Sequence, residues 1–148
     1  ENGCPPGGED TLVLYTTSIR GIRKTHEDCN RIRVLFDSFK VAYAERDVSM
    51  HMEYRDELWK VLGGRHAPPR VFLRGRYIGG AEEVLSLHEK GTLKALLSGI
   101  PTTRTNYPCK GCAGIRFLVC GRCHGRRKVT AGDCFECNEN GLVKCSVC

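Results

Sequence analysis

No apolar run in the 148 residues approaches the roughly 20 needed to span a bilayer, so a soluble protein is expected. Aromatic residues make up only 7% of the chain, with a single Trp, which leaves few flat side chains for stacking on nucleic-acid bases. Acidic residues are in deficit, 17 against 23 Lys and Arg, for a formal charge of +6. The sequence opens at Glu1 rather than Met, as expected of a piece cut from a longer chain. Cysteine is scarce across the first hundred residues, which hold only Cys4 and Cys29.

The other eight cysteines fall in the last forty residues as four Cys-x-x-Cys pairs: Cys109/Cys112, Cys120/Cys123, Cys134/Cys137 and Cys145/Cys148. One such pair offers two sulfurs from a single tight turn, and two pairs complete a tetrahedral shell about 2.3 Å from a zinc ion. A disulfide framework is the competing reading, but it needs an oxidising compartment and seldom shows uniform Cys-x-x-Cys spacing. Two structural zinc ions are therefore expected. Apolar residues in this tail are few, chiefly Phe117, Leu118, Val119, Phe135, Leu142 and Val143. Without metal the tail should be largely unfolded, because the binding energy is the folding energy.

Zinc also rewrites the charge. Subtracting eight thiolate charges and adding four from two Zn²⁺ ions brings +6 down to about +2. The local cluster Arg122, Arg126, Arg127 and Lys128 remains, with no base-reading or stacking residues interleaved, so nucleic acid is not an expected partner. Abundant paired thiols suit a reducing interior, cytoplasmic or also nuclear.

Ahead of the tail, apolar spacing alternates between strand and helix periods. Strands are expected at Thr11–Tyr15 and Val41–Val48, and helices at about Glu27–Ser38 and Met50–Leu62. Ile32, Leu35, Phe36 and Phe39 would face inward from the first helix, and Met52, Leu58, Trp59 and Leu62 from the second. A hairpin over Arg70–Ile78 turns at Arg74-Gly75, and two helices follow at Ala81–Leu87 and Thr92–Leu97. This order predicts an α/β domain with a mixed, helix-covered sheet of thioredoxin type. The expected division is an N-terminal extension (1–10), the α/β domain (11–100) and the zinc module (101–148).

The stretch from Ala67 to Gly80, Ala-Pro-Pro-Arg-Val-Phe-Leu-Arg-Gly-Arg-Tyr-Ile-Gly-Gly, resembles the glutaredoxin pattern Thr-Val-Pro-x-Val-Phe-Ile-x-Gly-x-x-Ile-Gly-Gly. With four Cys-x-x-Cys pairs behind it, the chain resembles the glutaredoxin domain-containing cysteine-rich proteins, plant members included, over nearly its whole length. The resemblance implies a thioredoxin/glutaredoxin-like fold and a groove for glutathione or an extended peptide. Pro69, after Pro68, would be the cis-proline at its edge. Gly79 and Gly80 would open a helix whose Ala81 and Glu82 amides hold a carboxylate. Arg65 and His66 fall where the family places a basic or polar contact to the other end of glutathione.

The family's nucleophile is a low-pKa cysteine at the start of the first helix, within Cys-Pro-Tyr-Cys. This chain lacks that pair. Alignment on the family's first helix puts Cys29 at the second cysteine and His26 at the first, so an imidazole takes the place of the thiol. The preceding loop, Thr16 to Thr25, is longer than usual and carries Arg20, Arg23 and Lys24.

Glycines after the tail's pairs resemble the DnaJ-type Cys-x-x-Cys-x-Gly-x-Gly repeat. By that resemblance Cys109, Cys112, Cys145 and Cys148 hold one zinc, and Cys120, Cys123, Cys134 and Cys137 the other. Gaps of 7, 10 and 7 residues between pairs suit this nesting without excluding sequential pairing. His124 is expected to lie beside the sulfurs or in solvent.

Three functions compete on this reading. The expected one is a binding or adaptor protein, redox-inactive, whose zinc module engages a protein partner. The alternative is a noncanonical glutathione-dependent thiol-disulfide oxidoreductase acting through Cys29. Iron–sulfur cluster binding is the third, and visible colour would reveal it.

Overall fold

A computed structural model describes residues 3–102, 117–130 and 132–145. These divide into two compact units, the first holding the described residues up to 49 and from 53 to 102, the second residues 50–52 and the described residues from 117 onward.

The first unit has the order β1 (Leu12–Thr16), α1 (Arg23–Phe39), β2 (Ala44–Asp47), α2 (Met52–Leu62), β3 (Arg70–Leu73), β4 (Arg76–Gly79), α3 (Ala81–Glu89) and α4 (Thr92–Leu96). Its sheet runs β2-β1-β3-β4, with β2 parallel to β1 and the remaining pairs antiparallel. β1 is buried throughout because it is central, with both faces covered. Leu12 and Leu14 pack with Ile32, Phe36, Val71 and Val84 on one face, while Val13 and Tyr15 pack with Leu58, Val61 and Phe72 on the other. Period-two alternation thus feeds two separate cores from one strand.

Two polar clusters lock the sheet to its helices. Glu45 on β2 accepts from Arg33 Nε at 2.7 Å and from Thr16 Oγ1 at 3.0 Å. On the other face Glu57 accepts from Tyr15 Oη at 2.7 Å and from an Arg46 nitrogen at 2.6 Å, and Arg46 also reaches the Pro6 carbonyl. Burial, with the nearby Glu57 carboxylate, raises the Tyr15 hydroxyl above its ordinary pKa.

The first helix departs from its expected start. It opens at Arg23 rather than near Glu27, because Arg23–Glu27 and Lys24–Asp28 pairs at i,i+4 spacing stabilise an added N-terminal turn. In α2, Met52 is 42% exposed and Trp59 only partly buried, so Leu58, Val61 and Leu62 carry that helix's core face. Trp59 packs against that face and also carries two cations, with the Arg55 and Arg65 guanidiniums 4.8 and 5.3 Å from its ring centre.

The second unit is built from two short antiparallel pairs, β5 (Phe117–Val119) with β8 (Leu142–Lys144) and β6 (Lys128–Val129) with β7 (Gly132–Asp133). Its buried centre consists of Cys120, Cys123 and Cys134, with Val129, Cys137 and Val143 around them. Sulfur takes the place that aliphatic side chains hold in the first unit. Among the described residues no helix is long and apolar enough to cross a membrane.

Candidate functional site

The loop after β1 leads to an α1 N-terminus without a thiol. Ile22 is the cap residue and makes no side-chain cap bond, and the first turn reads Arg23, Lys24, Thr25 and His26. The His26 amide donates to the Ile22 carbonyl at 3.1 Å, so it already belongs to the helix ladder. On the ring, Nε2 lies 3.4 Å from Asn30 Nδ2, while Nδ1 is buried with no hydrogen-bond partner. His26 therefore sits inside the helix rather than at its opening residue.

Cys29 is one turn further on and is fully buried. Burial drives its thiol up to about 11, against weaker opposing help from a Thr17 backbone hydrogen bond and the Arg33 charge. A reactive cysteine needs exposure and a depressed pKa, and Cys29 has neither.

Strand register gathers the groove residues at one end of the sheet. Tyr15, near the C-terminal end of β1, pairs with Arg70 at the start of β3, and Val71 pairs with Gly79 at the end of β4. The Pro68–Pro69 peptide is cis. A Cβ on Gly80 would lie 3.3 Å from the Pro69 carbonyl oxygen, so the proline turn and the start of α3 adjoin. Gly79 has φ +138, and a Cβ there would lie 2.6 Å from Glu83 Cβ, which leaves glycine as the residue that fits. The Gly80 amide donates to Glu83 Oε1 at 2.7 Å, and Ala81 and Glu82 open the helix behind this cap. Arg65 and His66 are exposed in the loop between α2 and β3, with Arg65 stacked on Trp59.

In the second unit the two inner pairs come together. The sulfurs of Cys120, Cys123, Cys134 and Cys137 all lie within 4.8 Å of one another, with Cys120–Cys134 at 3.8 Å and Cys123–Cys137 at 3.6 Å. Four sulfurs about 2.3 Å from one ion in a tetrahedron stand about 3.8 Å apart, so the donor set and its spacing fit a metal ion. Cys145 is buried, whereas Cys109, Cys112 and Cys148 lie outside the described residues.

The turns around these sulfurs depend on unusual backbone. Gly141 has φ +73, and a Cβ there would meet the Gly125 carbonyl oxygen at 2.5 Å. Its own carbonyl accepts from the Cys120 amide at 2.9 Å, which ties the β8 side of the unit to the first of the inner pairs. Desolvation opposes ionisation of Cys123, but an Arg127 backbone hydrogen bond and the neighbouring Cys137 thiol prevail and bring it down to about 7. His124 is exposed, with φ +56. Spacing gave no sign that Arg127, one of four clustered cations, would be the one turned onto the sulfurs.

Residues 12–78 match the family model described as glutaredoxin, and residues 109–148 match that described as GRXCR1/2, C-terminal domain. An uncharacterized protein of Arabidopsis thaliana is 40% identical over 166 residues, covering 95% of this chain and 43% of its own. Glutaredoxin domain-containing cysteine-rich protein 1 of Homo sapiens is 35% identical over 152 residues, covering 94% and 52%. The chain thus spans about half the length of these relatives. Glutaredoxin 1 of Rickettsia conorii is 32% identical over 94 residues, covering 63% of this chain and 86% of its own. A solved buckwheat glutaredoxin–glutathione complex is 26% identical with a TM-score of 0.50, covering 62% and 79%.

Proposed function

The chain belongs to the family of glutaredoxin domain-containing cysteine-rich proteins, and from that premise we propose that it binds without catalysing thiol transfer. Its groove takes glutathione or an extended peptide, and its cysteine-rich module engages a protein partner. The observation that carries this reading is at α1: the helix opens without a thiol, and Cys29 is buried with its pKa raised to about 11. A glutaredoxin site that keeps its groove and loses its nucleophile retains recognition without chemistry.

Support for the groove comes from the cis Pro68–Pro69 peptide beside Gly79 and Gly80, in a fold that a buckwheat relative uses to hold glutathione. The backbone before Pro69 and the amides of Ala81 and Glu82 would supply the main-chain contacts, and Arg65 and His66 a basic or polar contact to the other end of glutathione. The alternative, transfer through Cys29, would require the thiol to leave a fully buried position in which burial holds its pKa up at about 11.

The module holds zinc in this reading. Cys120, Cys123, Cys134 and Cys137 form one site, and Cys109, Cys112, Cys145 and Cys148 form the second, both structural because all-sulfur shells leave no position for substrate. Abundant paired thiols suit a reducing interior, cytoplasmic or also nuclear.

Two measurements on the intact chain test the proposal. Calorimetric titration with glutathione should give saturable binding that Gly80→Val abolishes. Metal analysis should give two zinc ions per chain, falling to one in Cys120→Ser. No binding at millimolar glutathione, or zinc content unchanged by Cys120→Ser, would contradict the groove and the metal assignments respectively.

A further inference from the structure

Arg127 stands apart from the other cations of its cluster. Arg122 lies over the Phe135 ring at 4.4 Å and near Glu136, and Lys128 pairs with Asp133, so both are occupied at the surface. The half-buried Arg127 turns the other way. One guanidinium nitrogen donates to the Cys134 carbonyl, to the Cys137 carbonyl at 3.3 Å and to Cys137 Sγ at 3.3 Å. Its main chain reaches both pairs: the Arg127 amide donates to Cys123 Sγ at 3.3 Å, and its carbonyl accepts from the Cys134 amide at 2.6 Å. One residue thus joins both inner pairs through main chain and side chain together.

We propose that Arg127 is the positioning residue of the four-sulfur site, fixing the Cys134–Cys137 turn against the Cys120–Cys123 turn and balancing the charge the thiolates carry when metal is bound. This rests on the zinc reading above and adds a residue outside the ligand set. Two physical arguments support it. Four thiolates around a divalent ion leave two net negative charges, and a guanidinium in contact with one sulfur offsets part of that charge where solvent is largely excluded. The contacted sulfur also belongs to Cys137, the one cysteine of the four that is not fully buried and the side from which a reagent would approach. Residues that orient metal ligands typically cost 10–100-fold in affinity when removed. A lysine ammonium is a compact point charge on a flexible stem, without the rigid planar guanidinium that holds one nitrogen against two carbonyls and a sulfur.

The test uses the full chain loaded with zinc, with Arg127→Met, Arg127→Lys and Cys120→Ser beside the parent. Zinc affinity is read by competition with a chromophoric chelator, the ligand field by cobalt(II) absorption, and sulfur reactivity by iodoacetamide labelling of Cys137 mapped by mass spectrometry. Arg127→Met should weaken zinc at this site by about 10–100-fold, shift the sulfur-to-cobalt band and speed Cys137 labelling, with Arg127→Lys falling between it and the parent. Parent-like affinity, spectrum and labelling in Arg127→Met would overturn the proposal. If Arg127→Met does not fold, Arg127→Lys decides alone: parent-like values in all three readouts overturn it. Failure of the zinc reading itself is distinct, because Cys120→Ser would then leave the parent's zinc content unchanged.

Discussion

The backbone amide of His26 donates to the carbonyl of Ile22 at 3.1 Å, which places His26 at the end of the first turn of α1. Glutaredoxin chemistry needs a thiolate at the helix opening, where amides without intrahelical partners and the dipole stabilise its charge. In the proposed reading, residue 26 carries no thiol and already spends its own amide in the helix ladder.

Restoring a thiol at residue 26 should not restore transfer. In His26→Cys the new thiol is expected to titrate in the ordinary cysteine range, while Ile22→Cys, at the cap and near Arg20, Arg23 and Lys24, should titrate lower. The pH dependence of alkylation measures both. A His26→Cys thiol with the lower pKa of the two would refute the assignment of the helix start.

Cys29 should resist alkylation at neutral pH in the native state and react only after unfolding. Its folded pKa of about 11 lies above the ordinary cysteine value of 9.0, so between these values the folded state holds a proton that the unfolded chain has released. Stability contributed by this group is complete below pH 9 and is lost as pH rises through 11, at about 1.4 kcal/mol per pH unit within that window. Urea unfolding across this range should show the decline, and Cys29→Ala should reduce it.

Removing Glu57 should destabilise the first unit by about 2–3 kcal/mol, because Tyr15 and Arg46 would each lose a partner where burial makes replacement by water difficult. Tyr15→Phe deletes one hydroxyl and should cost nearer 1 kcal/mol. Denaturant midpoints of the two variants give the comparison, and equal losses would count against a shared cluster.

Gly141→Ala should impair zinc retention, since its methyl group would run into the Gly125 backbone. Gly63 provides the control: it has φ +71 but nothing within 4 Å of an added Cβ, so Gly63→Ala should cost only about 1 kcal/mol of backbone strain and leave zinc untouched. Metal analysis after dialysis against a weak chelator separates the two.

The β1 core, the hairpin and the order of helices were legible because apolar periodicity reports which face is covered. Leu12 and Val13 feed opposite cores as alternation requires. The start of α1 was not legible, since Arg23 and Lys24 read as loop cations until their i+4 partners Glu27 and Asp28 are placed on the same helix. Trp59 packs against the core as its spacing predicts, but its cation contacts, Arg55 and Arg65, come from its own helix and from the loop beyond. In the tail, spacing identified four sulfur pairs, but which pairs meet depends on contacts such as Gly141 against Gly125 that no local pattern encodes. Arg127 stayed hidden among four cations because only its left-handed backbone turns it inward.

The most direct test of the central claim is glutathione-dependent reduction of a mixed disulfide by the zinc-loaded protein, run beside Cys29→Ser. The account predicts that both proceed at the uncatalysed rate. A rate above background that Cys29→Ser abolishes would contradict it and make the buried cysteine a working nucleophile.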